Sequence, residues 1–578
     1  MDRSQIIGLI LMLVLITIYF QVFESDKIKP SSGSGVSSNE SLVTGIKDHL
    51  NAQIPDNPLS QFPTGSEELK IIENEKVRIT LSNKGGTIKN VVLKGYKDFR
   101  GDDLVLVDNT SEQNLIINYK SREINLSDLY LKGEEDTRND TTFISYRIEI
   151  DDNKSITLVY SLPNKGYVVD YKIITSGLDN QIVDDYRFEW KVRLKRLEKN
   201  VDDARNKSKV LYRLSNGDVD DISSSEETFL KETANWVSFN QKYFTSAIVF
   251  DQPKEGIKLS NTDIPNDTTY LRTGIIKFNI DKNSNGSNLF NAKFYFLPND
   301  FDVLQNVAPS FVENLDLGWG ILGWINEFAI IPIFKFLESH ISNYGLIIMI
   351  MVILVRLILT PLTYKSHIGT AKMRFVKPEL DEIKEKYKDD PKKAQQEQMT
   401  LFQKAGINPL SGCVPLLLQT PILISLFYFF PSAIELRHEG FLWVNDLSTY
   451  DSIINLLFNI PFYGDHVSLF TILMSTTSII SMKMNTQFSS TSSQPQMKVL
   501  QYFIPVMMIF FFNNYASGLT FYYFFSNVIS IVQVALIGRF INEDKIKTVI
   551  AKNRQKNHSK KKSSFQRRLE KAMKSEKG

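Results

Sequence analysis

Forty consecutive residues, Val499 to Gly538, carry no charge. A run of that length is hard to hide in a soluble core, where helices average ~11–12 residues, but ~20 apolar residues suffice to span a bilayer. The stretch NNYASG, Asn513 to Gly518, places turn chemistry near its centre. The run is therefore predicted to form two membrane helices of ~17 residues each, joined by a tight turn. Three further apolar stretches precede it, at 345–363, 413–430 and 467–482. An uncharged run also stands near the start, Ile6 to Phe23. A signal peptide has a shorter apolar core of ~7–15 residues and small residues at its cleavage site. This run closes on Tyr19, Phe20, Gln21, Val22 and Phe23, so it reads as an uncleaved anchor, and the spans total six.

Charge orients them. The segment 365–410 holds ten Lys and Arg, 431–466 holds only Arg437, and the chain from Arg539 onward holds fourteen. The positive-inside rule puts the first and last of these in the cytoplasm. Six spans then place both termini inside and residues 24–343 outside. The single cysteine, Cys413, excludes an intrachain disulfide.

One charge interrupts the apolar stretch IIMIMVILVRLILTPL: Arg356. It lies nine residues before Lys365, ~13 Å along a helix at 1.5 Å per residue. An extended arginine side chain reaches only about half as far, so snorkelling falls short. An intramembrane ionisable group marks a wet or anionic cavity by default. Gln419, Ser425, Asn527, Ser530 and Gln533 are polar groups within predicted spans. Cavity lining and helix–helix hydrogen bonds both account for them.

The outer part reads differently. Residues 24–66 are rich in Ser, Gly, Asn and Pro, a tether. Residues 67–315 alternate apolar and polar positions across turns such as Asn83-Lys84-Gly85-Gly86 and Pro163-Asn164-Lys165-Gly166, which predicts an antiparallel β-sandwich. Acidic Asp218 to Asp221 reads as a solvated turn. Residues 316–343 are apolar but broken by Glu327, Pro332, Lys335 and Glu338, as suits an amphipathic interfacial helix. Within the helical core, 344–540, the cytoplasmic part 365–410 spaces Leu380, Ile383 and Tyr387 helically, restarts at Asp390-Pro391 and stops at Gly406. That pattern predicts a helical hairpin, with a solvated face or a mobile lid as its two roles. Residues 541–578 form a basic tail suited to polyanions, either ribosomal RNA or anionic lipid.

The segments GGTIKNVVLKGY, WVSFNQKYF, VRLILTPLT, AKMRFVKPELDEIKEKY, INPLSGCVPLLLQTPILISLFY, ELRHEGFLWVNDLS and ASGLTFYYFFSNVISIVQ, in this order, resemble the YidC membrane protein insertases of Gram-negative bacteria. The resemblance implies a multi-domain membrane protein: a periplasmic β-sandwich and a bundle of six transmembrane helices, five of them a core with a groove open to cytoplasm and lipid. It implies that Arg356 attracts the polar part of a nascent membrane protein, with Tyr522 and Tyr523 near the groove; Gln419, Ser425, Asn527 and Gln533 are the polar groups the sequence itself offers for that groove. It also implies a greasy exit along Leu417, Phe427, Tyr428, Met507 and Phe511, for which ordinary packing is the competing account. The implied partners are nascent membrane proteins, the ribosome through the tail, the Sec translocon and membrane lipids, with no DNA and no cofactor. The implied place is the inner membrane.

Two other functions compete. A secondary transporter also wants an intramembrane charge, but such proteins show repeated halves, and no internal symmetry is evident here. A membrane-tethered periplasmic glycan-binding protein or enzyme would use the sandwich and leave Arg356 unexplained. No nucleotide loop or metal-ligand cluster argues for chemistry, so the reading is a non-enzyme.

Overall fold

Strands and apolar helices segregate along the chain as the two hydropathy patterns do. A computed structural model describes residues 65–120, 122–178, 182, 184–222, 225–282, 288–408, 414–461, 463–487, 495–540 and 543–556. The predicted N-terminal anchor, the linker up to residue 64, Cys413 and the tail beyond 556 lie outside the described residues.

In the first half every strand pairing is antiparallel. A nine-stranded sheet, with Phe244–Lys254, Asn288–Pro298 and Val168–Ser176 in its middle, faces a six-stranded one built around Tyr270–Ile280 and Tyr186–Lys195. A four-stranded sheet, Leu69 to Val107, completes the domain. The period of two is plain in Tyr186–Lys195, which buries Tyr186, Phe188, Trp190, Val192 and Leu194 and turns the intervening charges outward. Trp190 meets Phe239 and Phe294 from the opposite sheet, each at 5.0 Å between ring centroids. This is a β-sandwich with one aromatic-rich core. Asp221 lies on the edge strand Val219–Ile222 and pairs with Lys209 at 3.1 Å.

The expected single interfacial helix is broken. Helix α1 (Ile321–Ile325) and α2 (Ile331–Glu338) are separated by a π-helical turn at Asn326–Ile330. The buried Asn326 amide donates to the carbonyls of Leu317 and Ser425, and wide turns of this kind gather at such demands on the backbone. Trp319, Trp324, Phe328 and Phe336 stay exposed, whereas Leu322, Ile330 and Phe334 are buried.

Helix α3 (Tyr344–Phe375) runs past the expected boundary at Lys365, because a lysine ends a bilayer crossing without ending a helix. Helices α4 (Lys377–Lys386) and α5 (Pro391–Ala405) follow. Asp390 caps α5 by accepting from Lys393 N–H at 3.0 Å, and Gly406 closes it at φ 63°. After them come α6 (Val414–Ser432), α7 (Leu469–Gln487), α8 (Pro495–Phe512), α9 (Ser517–Phe540) and α10 (Glu543–Lys556). Residues 513–516 separate α8 from α9, inside the predicted turn. Among the described residues, α3 and α9 are long and apolar enough to cross a membrane, and shorter apolar helical stretches occur at Leu469–Met484 and Phe503–Phe512.

The reading of 541–578 as one basic tail needs correction. Glu543–Lys556 is helical, and Ile546 and Ile550, one turn apart, are buried with Leu380, Val376 and Ala405 of the hairpin region. Arg554 to Glu379, 2.7 Å, and Arg374 to Glu543, 3.4 Å, flank that contact.

Candidate functional site

Helices α3 and α9 meet at Arg356. The guanidinium donates from Nε to Ser526 Oγ at 3.2 Å, and from Nη2 to Ser526 Oγ at 2.8 Å and to the Ser526 carbonyl at 3.0 Å. The remaining amino group, Nη1, is bonded to no protein group among the described residues, nor is it sealed from solvent. No carboxylate lies within ion-pairing distance of Arg356 among the described residues. The side chain is half-buried, while its neighbours Leu357 and Ile358 face outward. A guanidinium has five N–H donors. Here three are used, all on one serine, and two stay available.

One turn on, Thr360 Oγ1 donates to the Arg356 carbonyl at 2.7 Å and accepts from Gln533 Nε2 at 2.9 Å. Gln533 thus joins the Arg356 site through Thr360. Ser526 and Thr360 were not among the predicted site residues. Their signal was available: Ser526 adjoins Asn527, and Thr360 follows Arg356 by the four residues that align side chains on a helix.

Other predicted groove residues serve between helices. Asn527 donates to Ser478 Oγ at 2.7 Å and to the Met474 carbonyl at 3.3 Å, tying α9 to α7. Ser425 is fully buried and donates to the carbonyls of Leu322 and Pro421. It holds α6 against the interfacial segment rather than against Arg356. Tyr522 is buried against Phe430 at 5.5 Å, and Tyr523 Oη donates to the Leu423 carbonyl at 3.0 Å. Gln419 is half-buried on α6, and Ser530 is half-buried on α9.

Of the greasy set, Phe427 on α6 and Phe511 on α8 stack at 6.4 Å with an interplanar angle of 16°. Tyr515 joins both rings, at 5.2 Å and 5.1 Å. Met507 and Phe511 are exposed, 42 % and 44 %, on an apolar surface beside the α6/α8 seam. The Tyr428 ring lies over Gly318. The side chain of Leu417 lies outside the described residues.

Beside this seam the sandwich rests on the helical half through buried charge that the sequence did not announce. Arg437, just past α6, donates from Nε to Glu198 Oε1 at 2.9 Å, from Nη2 to the Leu197 carbonyl at 3.1 Å, and from Nη1 to the Lys97 carbonyl. Lys335 on α2 reaches Asp300 at 2.9 Å and Glu435 at 2.7 Å. Burial works against its charge, but Glu435 and Asp300 hold its ammonium above the usual lysine value. A cavity of about 250 Å³ lies at this junction, with Phe427, Tyr428 and Tyr515 on one side and Glu198, Lys199 and Lys242 on the other.

Comparison with known proteins bears on what such an arrangement does. A family model described as the YidC periplasmic domain matches residues 71–331, and one described as the 60Kd inner membrane protein matches residues 336–545. The Amoebophilus asiaticus protein named membrane protein insertase YidC is 38 % identical, over 99 % of this chain and 98 % of its own length. The Cytophaga hutchinsonii protein of the same name is 35 % identical over the same shares. A crystal structure described as an active YidC insertase with the first transmembrane domain resolved is 18 % identical, covers 82 % of this chain and 93 % of that one, and aligns with a TM-score of 0.34.

Proposed function

The chain belongs to the YidC family of membrane protein insertases, and we propose that it carries out insertion through the open side of the Arg356 guanidinium. Its activity is insertion rather than chemical catalysis, in a family of inner-membrane proteins with a periplasmic domain. The single observation that carries the proposal is that, among the described residues, Arg356 binds only Ser526 and keeps Nη1 unbonded. A carboxylate or backbone carbonyl of an arriving nascent protein takes that position. The apolar part of the client then leaves over Phe427, Met507 and Phe511 toward lipid. Gln533 and Thr360 keep α3 and α9 in register beneath the arginine.

The proposed organisation has six spans, both termini in the cytoplasm and residues 24–343 in the periplasm. The charge asymmetry between 365–410 and 431–466 supports that orientation. Helices α4 and α5 receive clients on the cytoplasmic face, the basic residues after α10 meet the ribosome, and the Sec translocon is a neighbour during shared insertion.

The test is reconstitution in liposomes with two single-span clients that differ only in an acidic or a neutral translocated end. Arg356→Ala should lower insertion of the acidic client several-fold and leave the neutral one unchanged, while Arg356→Lys retains part of the difference. Insertion of the acidic client by Arg356→Ala at the parent chain's level would remove the arginine from the mechanism.

A further inference from the structure

Between α6 and α7 the chain forms a two-stranded antiparallel hairpin, Ile454–Ile460 with Gly464–Val467. Ser452 to Gly464 contains no charge. Ile453, Ile454, Leu457 and Phe458 are all exposed, with Leu457 wholly so and Phe458 at 65 %. Leu457 and Phe458 are consecutive, and consecutive strand residues point to opposite faces. Each face of this strand therefore carries an uncovered large apolar side chain, Phe458 beside Ile454 on one and Leu457 between Asn455 and Asn459 on the other. A docked protein covers one face of a hairpin, whereas lipid surrounds both.

The position of the hairpin agrees. Tyr463, beside the turn, packs edge-on against Phe510 at 5.6 Å, and Phe510 is exposed in the last turn of α8. Asn513, just past that helix, donates to the carbonyls of Tyr463 at 2.9 Å and His466 at 2.8 Å, and accepts from Ser468 N–H at 3.0 Å. Asp451 accepts from Leu469 N–H at 2.9 Å and Phe470 N–H at 3.1 Å at the start of α7, and from Trp443 Nε1 at 3.1 Å. The hairpin is thus pinned at the ends of two apolar helices, where a bilayer surface would begin. Its unpaired strand edges bar it from the hydrocarbon centre, which leaves the headgroup/acyl boundary, where interfacial apolar surface is buried ~5–10 Å deep.

We propose that the 452–464 hairpin is a membrane-interface anchor immersed in the outer leaflet, with Leu457 and Phe458 contacting lipid from opposite faces. It extends the apolar surface beside the short apolar stretches Leu469–Met484 and Phe503–Phe512, next to the Phe427/Phe511 exit. The location outside rests on the orientation proposed above.

The test uses a Cys413→Ser chain, which has no other cysteine. Single nitroxide labels are placed at Leu457→Cys, Phe458→Cys and, as a water-exposed control in the sandwich, Asn216→Cys. The chain is reconstituted in vesicles of phosphatidylethanolamine and phosphatidylglycerol. Both hairpin labels should gain collisions with oxygen and lose collisions with a water-soluble nickel chelate relative to position 216. Protection at only one of the two positions would mean a protein partner or a second copy on that face, and would overturn the proposal. Chelate access at both would overturn it as well. In cells with a permeabilised outer membrane, an impermeant maleimide should modify Asn216→Cys; failure there would indict the orientation alone.

Discussion

Arg437→Met should open the contact between the sandwich and the helical half. The side chains of Arg437 and Glu198 are 3 % and 12 % exposed, so truncating the arginine leaves a buried carboxylate without its charged partner. Breaking a buried pair in this way costs about 3–5 kcal/mol, which is roughly a hundred- to several-thousand-fold in an opening equilibrium. The assay is hydrogen exchange of the chain in lipid nanodiscs, followed at amides protected by local bonds, such as Arg437 N–H to the Ile434 carbonyl and Leu447 N–H to the Glu439 carbonyl. The variant-to-parent ratio at each pH removes the intrinsic pH dependence of exchange. Burial pushes the Glu198 carboxyl up to about 7, against the lowering pull of Arg437 and then Lys242. A carboxyl raised in the folded state gives its full stabilisation below its unfolded value of ~4.3, and that stabilisation is lost as pH rises through about 7. Without Arg437 the folded value climbs further. The ratio should therefore be small at pH 5, where Glu198 is protonated either way, and largest near pH 8. Adding Glu198→Gln should recover much of the loss. A ratio that stays flat from pH 5 to pH 8, or an Arg437→Met chain that exchanges like its parent, would refute the reasoning.

Lys335→Met leaves Asp300 and Glu435 facing each other with no cation between them. Exchange across 321–338 should quicken by the equivalent of about 1–3 kcal/mol, and unchanged protection would show that apolar contacts alone hold the interfacial segment. Gly345→Ala puts a Cβ within 2.1 Å of the Phe441 ring. The strain, about 1–3 kcal/mol, should appear as a lower melting temperature. Thr360→Val deletes the acceptor used by Gln533 and should lower stability by about 0.6 kcal/mol while sparing insertion of the acidic client, which separates register from charge.

What the sequence made legible was whatever a local rule dictates. Alternation gave Tyr186–Lys195 its buried face, because successive strand residues have no other geometry. Asp390-Pro391 and Gly406 bound a helix through cap chemistry confined to a few residues. The break after Phe512 falls in a stretch whose Asn513 side chain is needed to bind Tyr463, His466 and Ser468. Pairings across long separations were not legible. Glu198 and Arg437 stand 239 positions apart, and nothing local distinguishes either from a surface charge. The 452–464 hairpin escaped because Leu456, Leu457 and Phe458 run consecutively between Asn455 and Asn459, so the segment shows no strict alternation and reads as loop between spans. Ile546 and Ile550 were within reach, being one helical turn apart, but the surrounding lysines hid them in a basic tail.

The polar groups of the predicted spans divide by how completely their neighbours satisfy them, and on the proposed reading this division separates packing from function. Ser425, fully buried, finds two carbonyls, and Asn527 commits its amide nitrogen to a serine and a carbonyl on the adjacent helix; both groups are neutral. Arg356 differs in kind. Hydrogen bonds between membrane helices average ~0.6 kcal/mol, whereas even the lowest figures for an arginine at the bilayer centre are ~2.5 kcal/mol. A serine cannot neutralise that charge, and an acidic side chain on a neighbouring helix, which could, does not pair with it among the described residues. In the proposed mechanism the arginine stays hydrated on its open side and exchanges that water for an anion whenever one arrives. Supplying the missing carboxylate from within should therefore silence the site. In Ser526→Asp the pair would close, and insertion of the acidic client should fall as far as in Arg356→Ala while melting temperature holds or rises. Full activity in Ser526→Asp would mean that the open guanidinium is not what clients recognise.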